Sequence, residues 1–154
     1  MTESTESTDI AWVGIGSNVG KRGLALARLR DALTHDAVVI DAASREVVTR
    51  PVGVTAQGDF HNQALRLRSA APWPPLRWLE HCKAAEVAAG RKETYRWGPR
   101  RADADVLLLG ARGDIHVNLP DLTVPHPELA NRPFLTRLLA ELGVRWEDGQ
   151  PAAG

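Results

Sequence analysis

Residues 10–20 read IAWVGIGSNVG, and the fold turns on how they are read. The first half is an apolar run suited to a buried strand. The second half is a glycine-containing turn leading to residues 24–33, where Leu26, Leu29 and Leu33 share one helical face. Strand, glycine turn and helix also open a dinucleotide-binding unit, whose fingerprint is G-x-G-x-x-G. Here Gly14 and Gly16 fit, but the third glycine falls one place late at Gly20, and no parallel βαβ series follows. Working outward, residues 37–49 (AVVIDAASREVVT) are rich in β-formers, residues 50–58 form a Pro/Gly loop, and DFHNQALRLRS (59–69) alternates like a half-exposed strand. Pro74 and Pro75 open a second helix that stops at Gly90, and its apolar stripe is expected along Leu76, Leu79 and Cys82, finishing at Glu86 beside Lys83. ADADVLLLG (102–110) is a further strand, and residues 126–143 hold a short turn and a last helix ended by Gly143. This order predicts an α+β domain with helices packed on a mostly antiparallel sheet.

The composition restricts the function. At 154 residues the chain suits one domain, expected over residues 10–145, between a disordered polar tail at 1–9 and a C-terminal tail at 146–154. Lys plus Arg and Asp plus Glu are both 19, so no bulk basic charge favours nucleic acid, and any anion binding must be local. The apolar runs fall short of a membrane span and MTESTESTD lacks the features of a signal peptide, so a cytoplasmic protein without a membrane partner is expected. The single cysteine, Cys82, excludes an intrachain disulfide and reads as buried filler.

The chemistry concentrates in TYRWGPRRADADVLLLG, residues 94–110. Asp103 and Asp105, two apart in an extended chain, face one way about 6.5 to 7 Å apart. Leu107 and Leu109 are expected to continue that face, which sets the carboxylates at the rim of the core. Such a pair suits Mg²⁺, which keeps its waters and takes one or two carboxylates plus phosphate oxygens; a D-x-D alone is also a common solvated strand end. Beside it, Arg91, Lys92, Arg96, Arg100 and Arg101 against Glu93 give a local charge of +4. That is a polyphosphate-binding charge density, since guanidinium forks take phosphate oxygens in pairs. Trp97 interrupts the basic run, able to cover a flat ligand or to anchor the loop.

Taken together, VGIGSNVGKR, TRPVG, FHNQAL, EVAAGR, RWGPRRADADVLLLG and VPHPELANRPF, in this order and spacing, resemble the 6-hydroxymethyl-7,8-dihydropterin pyrophosphokinases of folate biosynthesis. The resemblance covers nearly the whole chain outside the tails. It implies a ferredoxin-like fold and an enzyme that moves the terminal pyrophosphate of ATP to the pterin hydroxymethyl group, leaving AMP. It also implies the roles of residues. Asp103 and Asp105 would hold two Mg²⁺ ions, with Arg91 and Arg100 clamping phosphates. Lys83, Glu86, Trp97, Thr123, His126 and Arg132 would serve the ATP side. Phe60 and Phe134 would sandwich the pterin, Asn62 would match its polar edge, and Thr49 and Val52 would contact it. Arg50, where a second proline is common in the family, is expected to loosen the pterin loop, and Ala102 and Ala104, in place of larger aliphatics, to thin the packing behind the metal site. The partners implied are ATP and the pterin, with the protein acting as a monomer. A nucleotidyltransferase would use the same carboxylates but release pyrophosphate, and an RNA-binding module of similar fold would have no use for them.

Overall fold

The computed structural model describes residues 6–17, 24–49, 60–90, 102–147 and 150–151. Strand β1 (Thr8–Ser17) lies at the centre of a five-stranded sheet, hydrogen-bonded to β4 (Phe60–Trp73) on one side and to β5 (Ala102–Leu109) on the other. Both pairings are antiparallel, which removes the parallel βαβ arrangement that a dinucleotide fold requires. On the far side of β4 lie β2 (Val39–Ala43) and β3 (Val47–Thr49), also antiparallel to it. Helix α1 (Leu24–Leu33) follows β1, and α2 (Pro75–Gly90) joins β4 to β5. The resulting connectivity, β1-α1-β2-β4-α2-β5 with order β2-β4-β1-β5, is a split β-α-β arrangement of the expected α+β class. Beyond β5 come a hairpin of β6 (Val117–Leu119) and β7 (Leu122–Val124), a 3₁₀ turn (Pro127–Asn131) and α3 (Pro133–Glu141). A last hairpin, β8 (Trp146–Glu147) with β9 (Gln150–Pro151), lies where the sequence reads as a tail, and β1 begins at Thr8, two residues ahead of Ile10.

The sheet divides the core in two. Ala11, Val13 and Ile15 of β1 point toward α1 and α2, and meet Leu26, Leu29 and Leu33 as well as Trp78, Cys82, Ala85 and Ala89. Ile10 and Trp12 point the other way and pack with Leu135, Leu138 and Leu139 of α3. Helix α2 corrects its expected stripe. Trp78, Cys82, Ala85 and Ala89 are buried, whereas Leu76 is 45% exposed, because the helix turns its tryptophan rather than its first leucine to the sheet. The Trp78 indole also donates to the Thr8 carbonyl at 3.0 Å, and His81, stacked edge-on to Trp73 and Trp78, bonds the Leu33 carbonyl. These polar links fix the helix against both α1 and the start of β1. Among the described residues no helix is long and apolar enough to cross a membrane.

Strand β5 departs from simple alternation. Asp103 pairs with Gly16 and Asp105 with Gly14, but the register slips between Val13 and Trp12, so that Val106 faces Val13 and Leu108 faces Trp12. The extra residue is a β-bulge, which reverses the phase of the side chains beyond it. Leu107 and Leu108 therefore both join the α3-side core, and Leu109 turns back to the α1/α2 side. The expectation that Leu109 continues the aspartate face is thus corrected, while Asp103, Asp105 and Leu107 do share it.

Candidate active site

The face of the sheet opposite α1 and α2 gathers the polar residues singled out in the sequence. Near one end of the sheet, where β1 finishes and β4 and β5 begin, runs the row Asn62, Gly16, Asp103, one residue from each of β4, β1 and β5; the next row is Ala64, Gly14, Asp105. Cross-strand partners project to the same side of a sheet, so Asn62 and the carboxylates flank a strand that carries no side chain there. Neither Gly14 nor Gly16 has a positive φ, so their use is spatial. A Cβ at Gly14 would lie 3.1 Å from the Leu107 side chain, and one at Gly16 would lie 2.9 Å from Oδ1 of Asn62. The glycine motif that imitates a dinucleotide fingerprint serves, in this fold, to let Leu107 and Asn62 lie close over β1.

On the β4 side of this face, buried Asn62 donates its amide nitrogen to Thr49 Oγ1 at 3.0 Å and to the Phe60 carbonyl at 3.4 Å. Phe60, two residues before Asn62 and paired with Thr49, is half-buried on the same face. Phe134, in the first turn of α3, packs against the α3-side core. The structure thus brings Thr49, Phe60, Asn62 and Phe134 to the same side of the sheet as the aspartates.

On the β5 side, the segment after β7 returns over the bulge. The Val124–Pro125 peptide is cis, and the next amide, His126, donates to the Leu107 carbonyl at 3.0 Å. His126 caps the 3₁₀ turn, its Nδ1 accepting the Glu128 amide at 3.1 Å. An amide can only donate, so Nδ1 carries no proton and the neutral ring holds its hydrogen on Nε2, free to donate onward. Burial holds the His126 pKa below its ordinary value, and the Arg132 guanidinium adds to this against the opposing pull of Asp105 and Glu128. Arg132 lies 3.8 Å from Glu128 in a half-exposed pair. Thr123, in β7, is exposed opposite Asn118.

Glu86 approaches from behind. Its Oε2 accepts the Ala104 amide at 2.9 Å, satisfying an N–H of an edge strand between the two aspartates, while Oε1 lies 3.6 Å from Lys83. Burial raises the Glu86 pKa, and the charges of Asp105 and Asp103 push the same way, against the Ala104 hydrogen bond and Lys83. The sequence predicts a ligand contact here and gives no sign of this backbone tie. Ala102 and Ala104, expected to thin the packing, are met by equally small Ala85, Ala89 and Gly90 on α2; a Cβ on Gly90 would be 3.7 Å from that of Ala102. Cys82 is fully buried beneath β5, where burial first, and the carboxylates of Asp105 and Glu86 after it, push its thiol pKa far up. Arg91, Arg100, Trp97, Val52 and Arg50 lie outside the described residues.

Among the described residues no three His, Cys, Asp or Glu side chains converge as an all-protein metal cage. Two carboxylates on one strand face nevertheless fit Mg²⁺, which binds through one or two carboxylates and completes its shell with water and phosphate oxygen. A family model described as 7,8-dihydro-6-hydroxymethylpterin-pyrophosphokinase matches residues 12–144. The 2-amino-4-hydroxy-6-hydroxymethyldihydropteridine pyrophosphokinase of Bacillus subtilis is 35% identical over 135 residues, 87% of this chain and 78% of the relative. Proteins of the same name from Methylorubrum extorquens (35% identical, covering 86% of this chain and 81% of the relative) and Aquifex aeolicus (33%, covering 85% and 78%) are similar over nearly the same span.

Proposed function

Because the chain belongs to the 7,8-dihydro-6-hydroxymethylpterin-pyrophosphokinase family, we propose that it transfers the terminal pyrophosphate of ATP, as a unit, to 6-hydroxymethyl-7,8-dihydropterin, a step of folate biosynthesis. The pterin hydroxyl oxygen bonds to the β-phosphorus, the bond from that phosphorus to the α,β-bridging oxygen breaks, AMP leaves with the electron pair, and the hydroxyl proton is released. What supports this reading within the fold is the row Asn62, Gly16, Asp103. A group able to hydrogen-bond a heterocycle and a carboxylate able to hold a phosphate-bound cation face each other across a strand stripped to its backbone.

Asp103 and Asp105 would hold Mg²⁺, as two ions, and the bound metal would supply neutralisation of the phosphate charge. The protein's own residues position the reactants. Asn62 reads the pterin edge between Phe60 and Phe134, with Thr49 and Val52 beside it. His126 donates from Nε2 to a phosphate oxygen, joined by Arg132, and Arg91 and Arg100 clamp the triphosphate. Lys83, Glu86, Trp97 and Thr123 serve the nucleotide side, Glu86 also by keeping the aspartate strand in place. The catalytic unit is the single domain expected over residues 10–145, extended by Thr8 and Asp9 of β1 and by the β8/β9 hairpin, acting as a cytoplasmic monomer.

Phosphorus NMR of a reaction containing ATP, Mg²⁺ and the pterin tests the proposal. AMP and a pyrophosphorylated pterin should form in equal amounts, and omission of pterin or metal should abolish both. ADP as product would indicate attack on the γ-phosphorus, and free pyrophosphate attack on the α-phosphorus; either sinks the reading. Asp103→Ala and Asp105→Ala should keep the circular dichroism spectrum and lose several orders of magnitude in kcat. Retention of more than about a tenth of turnover, about 1.4 kcal/mol of barrier, would refute the metal assignment.

A further inference from the structure

On that face of the sheet the Asn62 carboxamide has an orientation set by neighbours on both sides. A primary amide offers two hydrogens at nitrogen and two lone pairs at oxygen, and a flip exchanges what it presents. The Phe60 carbonyl, which can only accept, faces Nδ2 and so identifies the nitrogen end. Thr49 Oγ1 accepts from the same nitrogen at 3.0 Å, and the pairing of Thr49 with Phe60 holds the hydroxyl in place. The oxygen then points over β1, where the space it occupies exists because residue 16 has no side chain: a Cβ there would be 2.9 Å away, closer than such atoms approach.

We propose that Thr49 and Gly16 are positioning residues for the pterin. Thr49 anchors the nitrogen of Asn62 toward β3, and Gly16 leaves room for its oxygen over β1, so the oxygen is presented as an acceptor to the hydrogen-bond donors on the edge of the bicyclic ring. The inference rests on the reading of Asn62 as a pterin-binding group. Loss of the Thr49 acceptor frees the amide to turn its nitrogen inward, donor against donor. A methyl group at residue 16 displaces the oxygen directly.

Calorimetry on the full chain, with Mg²⁺ and a non-hydrolysable ATP analogue present, separates the possibilities through binding of 6-hydroxymethyl-7,8-dihydropterin. Thr49→Val should weaken pterin binding about tenfold, about 1.4 kcal/mol, and leave the affinity for the ATP analogue unchanged. Thr49→Ser, which restores the hydroxyl, should recover most of the loss. Gly16→Ala, on a different strand, should reproduce the selective loss, with thermal melting verifying that each variant is folded. Wild-type pterin affinity in Thr49→Val and Gly16→Ala, alongside a loss in Asn62→Ala, would overturn the inference and leave the pterin site standing. Equal weakening of both ligands, or no recovery with serine, would also overturn it. Unchanged pterin binding in Asn62→Ala would instead remove the reading on which it rests.

Discussion

The imidazole of His126 joins a backbone cap to the electrostatic surroundings of Asp105. Its Nδ1 takes the Glu128 amide, and protonation of that nitrogen would break the cap, so the folded protein favours the neutral ring. Between the lowered folded pKa and the ordinary value of 6.5, the unfolded chain carries more protons than the folded one. Stability therefore rises with pH up to that ordinary value and is lost as pH falls below it. Urea titrations of the metal-free protein at about pH 5.5 and about pH 7.5 should record the loss, and His126→Asn, whose side-chain oxygen can keep the cap, should reduce it. An equal pH slope in the two proteins would assign it to other groups. At this scale the sequence was legible where a local pattern or residue type decides placement, as with the shared face of Asp103 and Asp105 and with buried Cys82. It was opaque for Gly16 and Glu86. What they do depends on Asn62 and Ala104, partners 46 and 18 residues away that meet them only across a sheet or between helix and strand.

Helix α2 shows what local pattern carries and what it misses. Its limits follow from Pro75 at the start and Gly90 at the end, but several apolar stripes fit its sequence, and burial selects the one through Trp78. Trp78→Ala should cost about 3 to 5 kcal/mol through lost burial. Leu76→Gln should change stability by no more than about 0.5 kcal/mol. Denaturant unfolding compares them, and a larger cost at Leu76 would contradict the helix orientation. Helix α1 offers no such choice, because its three spaced leucines define one face, all fully buried. Strand β5 could not be read to its end, since alternation assumes an unbroken pleat and the bulge depends on how Trp12 and Leu108 pair across strands. The hairpins β6/β7 and β8/β9 are too short for any periodicity to register.

Over the whole molecule, the antiparallel order β2-β4-β1-β5 brings the functional segments together from distant parts of the chain. The class was legible because two helices alternate with strands lacking the parallel series; the order itself rests on pairings far apart in sequence. One consequence concerns the lone thiol under β5. Cys82 lies on the side of the sheet opposite the aspartates, with no exposed surface, so a soluble alkylating reagent can reach it only when the packing between α2 and the rest of that core opens, as when α2 parts from β5. The thiol is thus a reporter of breathing beneath the floor that the aspartate strand forms, in a chain with no second cysteine to confuse the signal. If that parting disrupts the aspartate strand, ligands that bind only the closed form should slow alkylation by the factor 1 + [L]/Kd, about 100-fold at about 100 times Kd. Mass spectrometry of the labelled protein over time would measure it. A labelling rate indifferent to Mg²⁺, ATP analogue and pterin would mean that the helix opens without disturbing the floor above it.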